Sequence, residues 1–120
     1  MLEKIVRNGT LCAAVTGGEV VIRDAQSALD LLMCAAYEAG TKNIVISRSQ
    51  IAEEFFHLST GLAGEILQKY INYGGRIAIY GNDLHSASEP LKDFIYESNK
   101  GKSVFFVSTR EEAVDMLTRE

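Results

Sequence analysis

A chain of 120 residues, 47% of them hydrophobic, is long enough for one domain that buries about two thirds of the surface its unfolded form would expose. Its formal charge of −4 is spread along the chain with no basic stripe for following a phosphate backbone, so nucleic acid is not an expected partner. No apolar run approaches bilayer length, and the opening Met1-Leu2-Glu3-Lys4-Ile5 lacks a signal-peptide pattern, so a soluble cytoplasmic protein without membrane contact is expected.

Ile5-Val6 and Leu11-Cys12-Ala13-Ala14-Val15 flank Arg7-Asn8-Gly9-Thr10, and Asn-Gly between apolar runs predicts an antiparallel hairpin. Gly17-Gly18 then breaks the chain before Glu19-Val20-Val21-Ile22, a short edge strand or an extended lead into the next element. Asp24 is the predicted N-cap of a helix through Ala39, with Ala28, Leu32, Ala35 and Ala39 as its apolar stripe, widened by Leu29, Met33 and Ala36. Gly40 stops it. Ile44-Val45-Ile46 is apolar without alternation, as a strand covered on both faces should be, and Gln50 to Phe56 predicts a short helical turn.

A helix beginning near Thr60 places Leu62, Ile66, Tyr70 and Tyr73 on one stripe beside Ala63, Leu67 and Ile71, and ends at Gly74-Gly75. Ile77-Ala78-Ile79 is the second buried strand. The helix from about Ser88 to Asn99 accepts Pro90 in its first turn and buries Leu91, Phe94, Ile95 and Ser98; Gly101 closes it before the third buried strand, Val104-Phe105-Phe106-Val107. Thr109 and Glu112 form a capping box ahead of Ala113, Val114 and Leu117. The fold class is therefore α/β: a single domain over residues 1–120, with a mixed sheet made of an N-terminal antiparallel hairpin plus parallel strands, packed with about four helices.

Cys12 and Cys34 sit apart in apolar runs and read as small buried hydrophobes in a reducing compartment. Glu53 and His57, four apart, share a helix face, but nothing in the sequence brings Asp83 or His85 to them, so no metal is expected. Gly101-Lys102-Ser103 enters a predicted strand where a phosphate-binding loop would enter a helix, which argues against nucleotide hydrolysis. No catalytic constellation emerges, and no cofactor is implied.

The informative stretch is Ser59-Thr60-Gly61-Leu62, two hydroxyls at a helix start between two buried strands, where unpaired backbone N–H groups and the dipole favour negative charge. Either hydroxyl can serve simply as a cap. With the hairpin, the helix and the strand-helix units around it, this stretch resembles the STAS domain (sulfate transporter and anti-sigma factor antagonist). In anti-sigma factor antagonists the helix start reads Asp-Ser-Ser-Gly-Leu and a partner kinase phosphorylates the second hydroxyl residue. The resemblance implies Thr60 as phospho-acceptor with Ser59 beside it. Gly75-Arg76-Ile77-Ala78-Ile79 also looks like that family's next strand, whereas Leu58 stands at the place of its Asp and the connection from Ser47 to Ser59 is longer. The runs Ile51 to Phe56 and Phe94 to Gly101 are closer still to an uncharacterised bacterial STAS-like family of unknown function.

The expected function is a non-enzymatic regulatory or protein-interaction module, switched by phosphorylation at Ser59 or Thr60 and meeting a protein partner such as a kinase-like regulator through Ser59, Thr60, Gly61 and Leu62. Tyr80, at a strand end, and Tyr96, off its helix's main stripe, are further interface candidates. The alternative is a small-anion or nucleotide-binding domain with weak or no catalysis, using the N–H groups near Thr60.

Overall fold

Asn8 and Gly9 both take positive φ, 53° and 77°, the backbone that a two-residue hairpin turn demands. This turn pairs β1 (Leu2–Arg7) with β2 (Thr10–Val15) antiparallel, Arg7 opposite Thr10 through to Leu2 opposite Val15. The computed structural model describes residues 2–82 and 88–119. β3 (Asn43–Ser47), β4 (Arg76–Tyr80) and β5 (Val104–Val107) continue the sheet in the order β1-β2-β3-β4-β5, and β2 to β5 are all parallel.

Alternation along the strands assigns the helices to faces. Ala13, Val15, Ile44, Ile46, Ile77, Ile79, Val104 and Phe106 pack under α1 (Ala25–Glu38), α2 (Leu62–Asn72) and α3 (Glu89–Asn99). The intervening Cys12, Ala14, Val45, Ala78 and Phe105 face the other way, onto Ala113, Val114 and Leu117 of α4 (Arg110–Thr118). Crossovers of one hand, each adding the next strand on the same side, put three successive helices on one face. The fold class expected from sequence is the one observed: among the described residues, one mixed sheet with four α-helices.

Local chemistry sets the element ends. The Asp24 side chain accepts from the Ser27 N–H at 2.8 Å, and Ser27 Oγ accepts from the Asp24 N–H at 3.0 Å, which closes a capping box and holds the Asp24 carboxyl below its usual range. Thr109 and Glu112 form the expected second box. The segment around Val20 and Ile22 is an extended lead, joined to the turns after β3 by an isolated parallel bridge from Ile22 to Ile51 and by the Val21 N–H donating to the Gln50 carbonyl at 2.7 Å. In place of one helical turn, three 3-10 turns, Arg48–Gln50, Glu53–Phe56 and Leu58–Thr60, connect β3 to α2.

Several side chains expected inside are not. Tyr70 ends the buried stripe of α2, its hydroxyl donating to the Ala28 carbonyl at 2.9 Å, with burial pushing the phenol pKa upward. Tyr73 falls past the helix end and is 48% exposed, and Ile71 is exposed as well. The reversal at Gly74 (φ 75°) brings Gly75 so close to α1 that an added Cβ would lie 2.8 Å from Leu32 Cδ1, and this descent turns Tyr73 outward. Met33 is also exposed, because the buried face of α1 runs through Leu31 instead. Phe94, Ile95 and Ser98 are only half-buried. Cys12 is buried as expected, whereas Cys34 is half-exposed and its thiol donates to Glu38 at 3.0 Å.

Both sheet edges are protected. β1 carries Glu3, Lys4 and Arg7. At β5, the Asn99 amide donates to the Phe106 carbonyl at 3.0 Å and accepts the Phe106 N–H at 2.7 Å, imitating a paired strand.

Asn99→Ala leaves both Phe106 groups unpaired and is expected to cost about 1–2 kcal/mol in urea unfolding, with Asn99→Asp, which keeps the acceptor, costing less. For the thiols, a disulfide-exchange reagent is expected to titrate Cys34 alone in the folded protein and both cysteines after denaturation. The bond to Glu38 raises the Cys34 pKa, so Glu38→Gln should speed its reaction at neutral pH.

Candidate functional site

The carboxyl ends of β3, β4 and β5 open onto one hollow. Three consecutive residues from each strand end line it, 47–49, 80–82 and 108–110, around a cavity of about 570 Å³. After β3 the chain is held by Gln50, 2% exposed: its side-chain oxygen accepts from the Ser47 N–H at 3.1 Å while its amide donates to the Gly17 carbonyl at 3.1 Å. Its backbone carbonyl accepts from Val21 and Ile22, which ties the lead into α1 to the turn after β3. Ser47 Oγ accepts from the Ser49 N–H at 3.2 Å and lies 2.9 Å from Ser49 Oγ.

Arg48 projects from this turn with its guanidinium 4.3 Å above the Phe56 ring and bonds to both Glu53 carboxylate oxygens, at 3.1 and 3.3 Å. That cation holds the Glu53 carboxyl below its ordinary range. After β5, Glu112 Oε1 accepts from the Ser108 and Thr109 N–H groups at 3.2 and 3.1 Å. Arg110 donates through one Nη to Glu3 at 2.6 Å. Tyr80 stands half-buried at the end of β4, beside Gly81, whose N–H donates to the Val107 carbonyl.

The start of α2 is a separate part of the same edge. Gly61, at φ 77°, is the N-cap residue, so the helix begins at Leu62 and the Ser59-Thr60 pair lies in the 3-10 turn before it. Thr60 Oγ1 lies 2.9 Å from the Glu54 and the His57 carbonyl oxygens, sharing its one proton between them, and accepts from the Leu62 N–H at 3.2 Å. Its hydroxyl therefore staples two turns to the helix. The exposed Ser59 side chain makes no hydrogen bond to a described residue. Leu62 packs half-buried against the core.

The remaining sequence-derived candidates disperse. Tyr96 is 65% exposed on α3, with the Lys100 ammonium 4.3 Å over its ring, and does not line the cavity. Glu53 and His57 do approach, at 3.8 Å, while Asp83 and His85 lie outside the described residues. Among the described residues no group of three or more His, Cys, Asp or Glu converges, and no helix is long and apolar enough to cross a membrane. A larger hollow, about 740 Å³, opens at the amino ends of β4 and β5. Its Arg76 is committed to the Lys102 and Leu117 carbonyls at 2.8 and 3.0 Å, clasping the last turn of α4 to the sheet.

Gln50 and Arg110 were missed in the sequence. Neither belongs to a motif, and only the meeting of strand ends gives them a role.

Fold and edge together define an α/β protein whose parallel strands end in a polar, arginine-bearing crevice beside a hydroxyl-bearing helix start. Residues 7–117 match the family described as Domain of unknown function (DUF4180), and with most of the chain covered the protein belongs to that family. No curated protein and no solved structure matches the chain.

Thr60→Ala is expected to lower stability by about 1 kcal/mol in urea unfolding, since it removes the hydroxyl that caps Leu62, and Thr60→Ser should restore most of it. Ser59→Ala should stay within about 0.5 kcal/mol of wild type.

Proposed function

We propose that this protein is a non-enzymatic regulatory module of the STAS-like kind, acting through a protein partner that covers the start of α2 and controlled by phosphorylation there. The observation that carries the reading is the exposed Ser59-Thr60-Gly61 turn, built to a defined shape by the Thr60 hydroxyl and placed between β3 and β4. The hairpin followed by three strand-helix units in unbroken sheet order supports the resemblance.

Within the turn the two hydroxyls divide the work. Thr60 is the residue that the resemblance aligns with the acceptor, yet its hydroxyl is engaged with Glu54, His57 and Leu62. Ser59 offers an exposed hydroxyl without such bonds and is the acceptor this reading prefers. A phosphate brings about −1.5 to −2 charge, which the amino end of α2 tolerates and a partner seated on the turn would have to desolvate.

The test is affinity capture from a lysate of the source cell with wild type, Ser59→Ala, Ser59→Glu and Thr60→Glu as baits. Ser59→Glu is expected to keep its thermal midpoint within a few degrees and to change the captured set, while Ser59→Ala behaves as wild type. Identical sets for all four baits would retire the surface assignment. Thr60→Glu, which loses the staple, is expected to be less stable than Ser59→Glu by about 1 kcal/mol, the same loss as Thr60→Ala.

A further inference from the structure

We propose that the cavity at the carboxyl ends of β3, β4 and β5 is a binding site for a small phosphate-bearing molecule, held by Arg48 and Arg110. This goes beyond the partner-binding reading and uses a different part of the edge. The first argument is topological. α3 leaves β4 toward one face of the sheet and α4 leaves β5 toward the other, since Leu91 joins the cluster with Phe106 while Ala113 and Val114 join the one with Phe105. Adjacent parallel strands whose connections part in this way leave a crevice outside their carboxyl ends, the usual place for a ligand in an open α/β sheet.

The second argument is chemical. In a chain of net charge −4, the described lining carries two guanidiniums, Arg48 paired with Glu53 and Arg110 with Glu3 outside the lining, and the hydroxyls of Ser47, Ser49 and Tyr80, while the Thr109 hydroxyl is committed to Glu112 at 3.2 Å. Guanidinium forks match phosphate oxygens two at a time, and hydroxyls supply the remaining donors. A volume of about 570 Å³ suits a ligand of small-molecule size. The amino end of α4 is not the anchor, because Glu112 already occupies the Ser108 and Thr109 N–H groups.

The third argument is the state of the two arginines. Arg48 is held in place by the Phe56 ring and by Glu53, so little side-chain freedom is lost on binding. Arg110 gives one Nη to Glu3, and its other N–H groups make no hydrogen bond to described residues. That ion pair is solvent-exposed on both sides, the weak kind, which a phosphate dianion can displace or share.

The experiment is an amide-resolved NMR titration of the full chain at low ionic strength with three probes: inorganic phosphate, pyrophosphate and adenosine monophosphate. Saturable shifts at Ser49, Gly81 and Arg110 are expected with at least one probe, at a Kd of about 1 mM or tighter. If pyrophosphate and adenosine monophosphate bind alike, the site reads phosphate alone; tighter nucleotide binding assigns the rest of the cavity to the base. Arg110→Gln and Arg48→Gln should each weaken binding about tenfold, as the loss of a charge-assisted hydrogen bond does. Glu3→Gln, which removes the competitor, should tighten binding about twofold or more by the same competition. Arg7→Gln makes the same charge change as the other arginine variants but pairs with Glu111 and Asp115, outside the cavity lining, and should leave binding unchanged. Absence of saturable shifts, shifts centred on residues 59–64, or equal weakening by Arg7→Gln would each overturn the proposal. Neither result depends on the partner-capture assay, so the two readings fail separately.

Discussion

A parallel sheet must have apolar cover on both faces, and in this protein the second face is covered by one short helix among the described elements. Cys12, Ala14, Val45, Ala78 and Phe105 would otherwise meet water, and α4 closes over them with Ala113, Val114 and Leu117. Small residues at three of these five sheet positions, Cys12, Ala14 and Ala78, suit a nine-residue helix packed against them. Its ends are secured accordingly: Thr109 and Glu112 cap the start, and Arg76 reaches from β4 to the Leu117 carbonyl at the finish. Arg7 adds paired contacts to Glu111 and Asp115 on its outer side.

Sending α4 to that face also creates the crevice. Had it followed α3 onto the crowded face, the ends of β4 and β5 would be roofed by consecutive connections. Instead the chain parts there, and the loops after three strands converge around one cavity. Gln50 stabilises this convergence from below, since one buried amide joins the Ser47 turn to the Gly17 carbonyl while its backbone serves Val21 and Ile22. Arg48 is thereby aimed by a buried group two residues away.

The edge thus presents two kinds of polar surface side by side. The turn before α2 is shaped by internal hydrogen bonds and offers one exposed hydroxyl, whereas the cavity is lined by two arginines, each paired with a glutamate. Arg48 and Glu53 connect them, because the first of these lines the cavity and the second opens the 3-10 turn whose Glu54 carbonyl receives the Thr60 hydroxyl.

Local rules written into the sequence were sufficient for the elements themselves. The Asn8-Gly9 turn, the Asp24 and Thr109 caps and the continuous apolar strands are decided by backbone sterics, short-range hydrogen bonds and period, all of which act within a few residues. The α/β class and the place of Ser59 and Thr60 near a helix start followed from these. The exact start of α2 did not, since Leu58–Thr60 forms a 3-10 turn and the left-handed backbone of Gly61 then takes the cap position. The helix stops at the expected glycines, with Gly74 at positive φ and the Gly75 N–H donating to the Tyr70 carbonyl at 2.7 Å, but Tyr73 was misplaced because the stripe was extended into the C-cap residue, where helical spacing no longer holds. The cavity was invisible to such local rules. Its residues come from three segments separated by about thirty residues each, and only the sheet, by ordering its strands and parting its helices, brings their charges together.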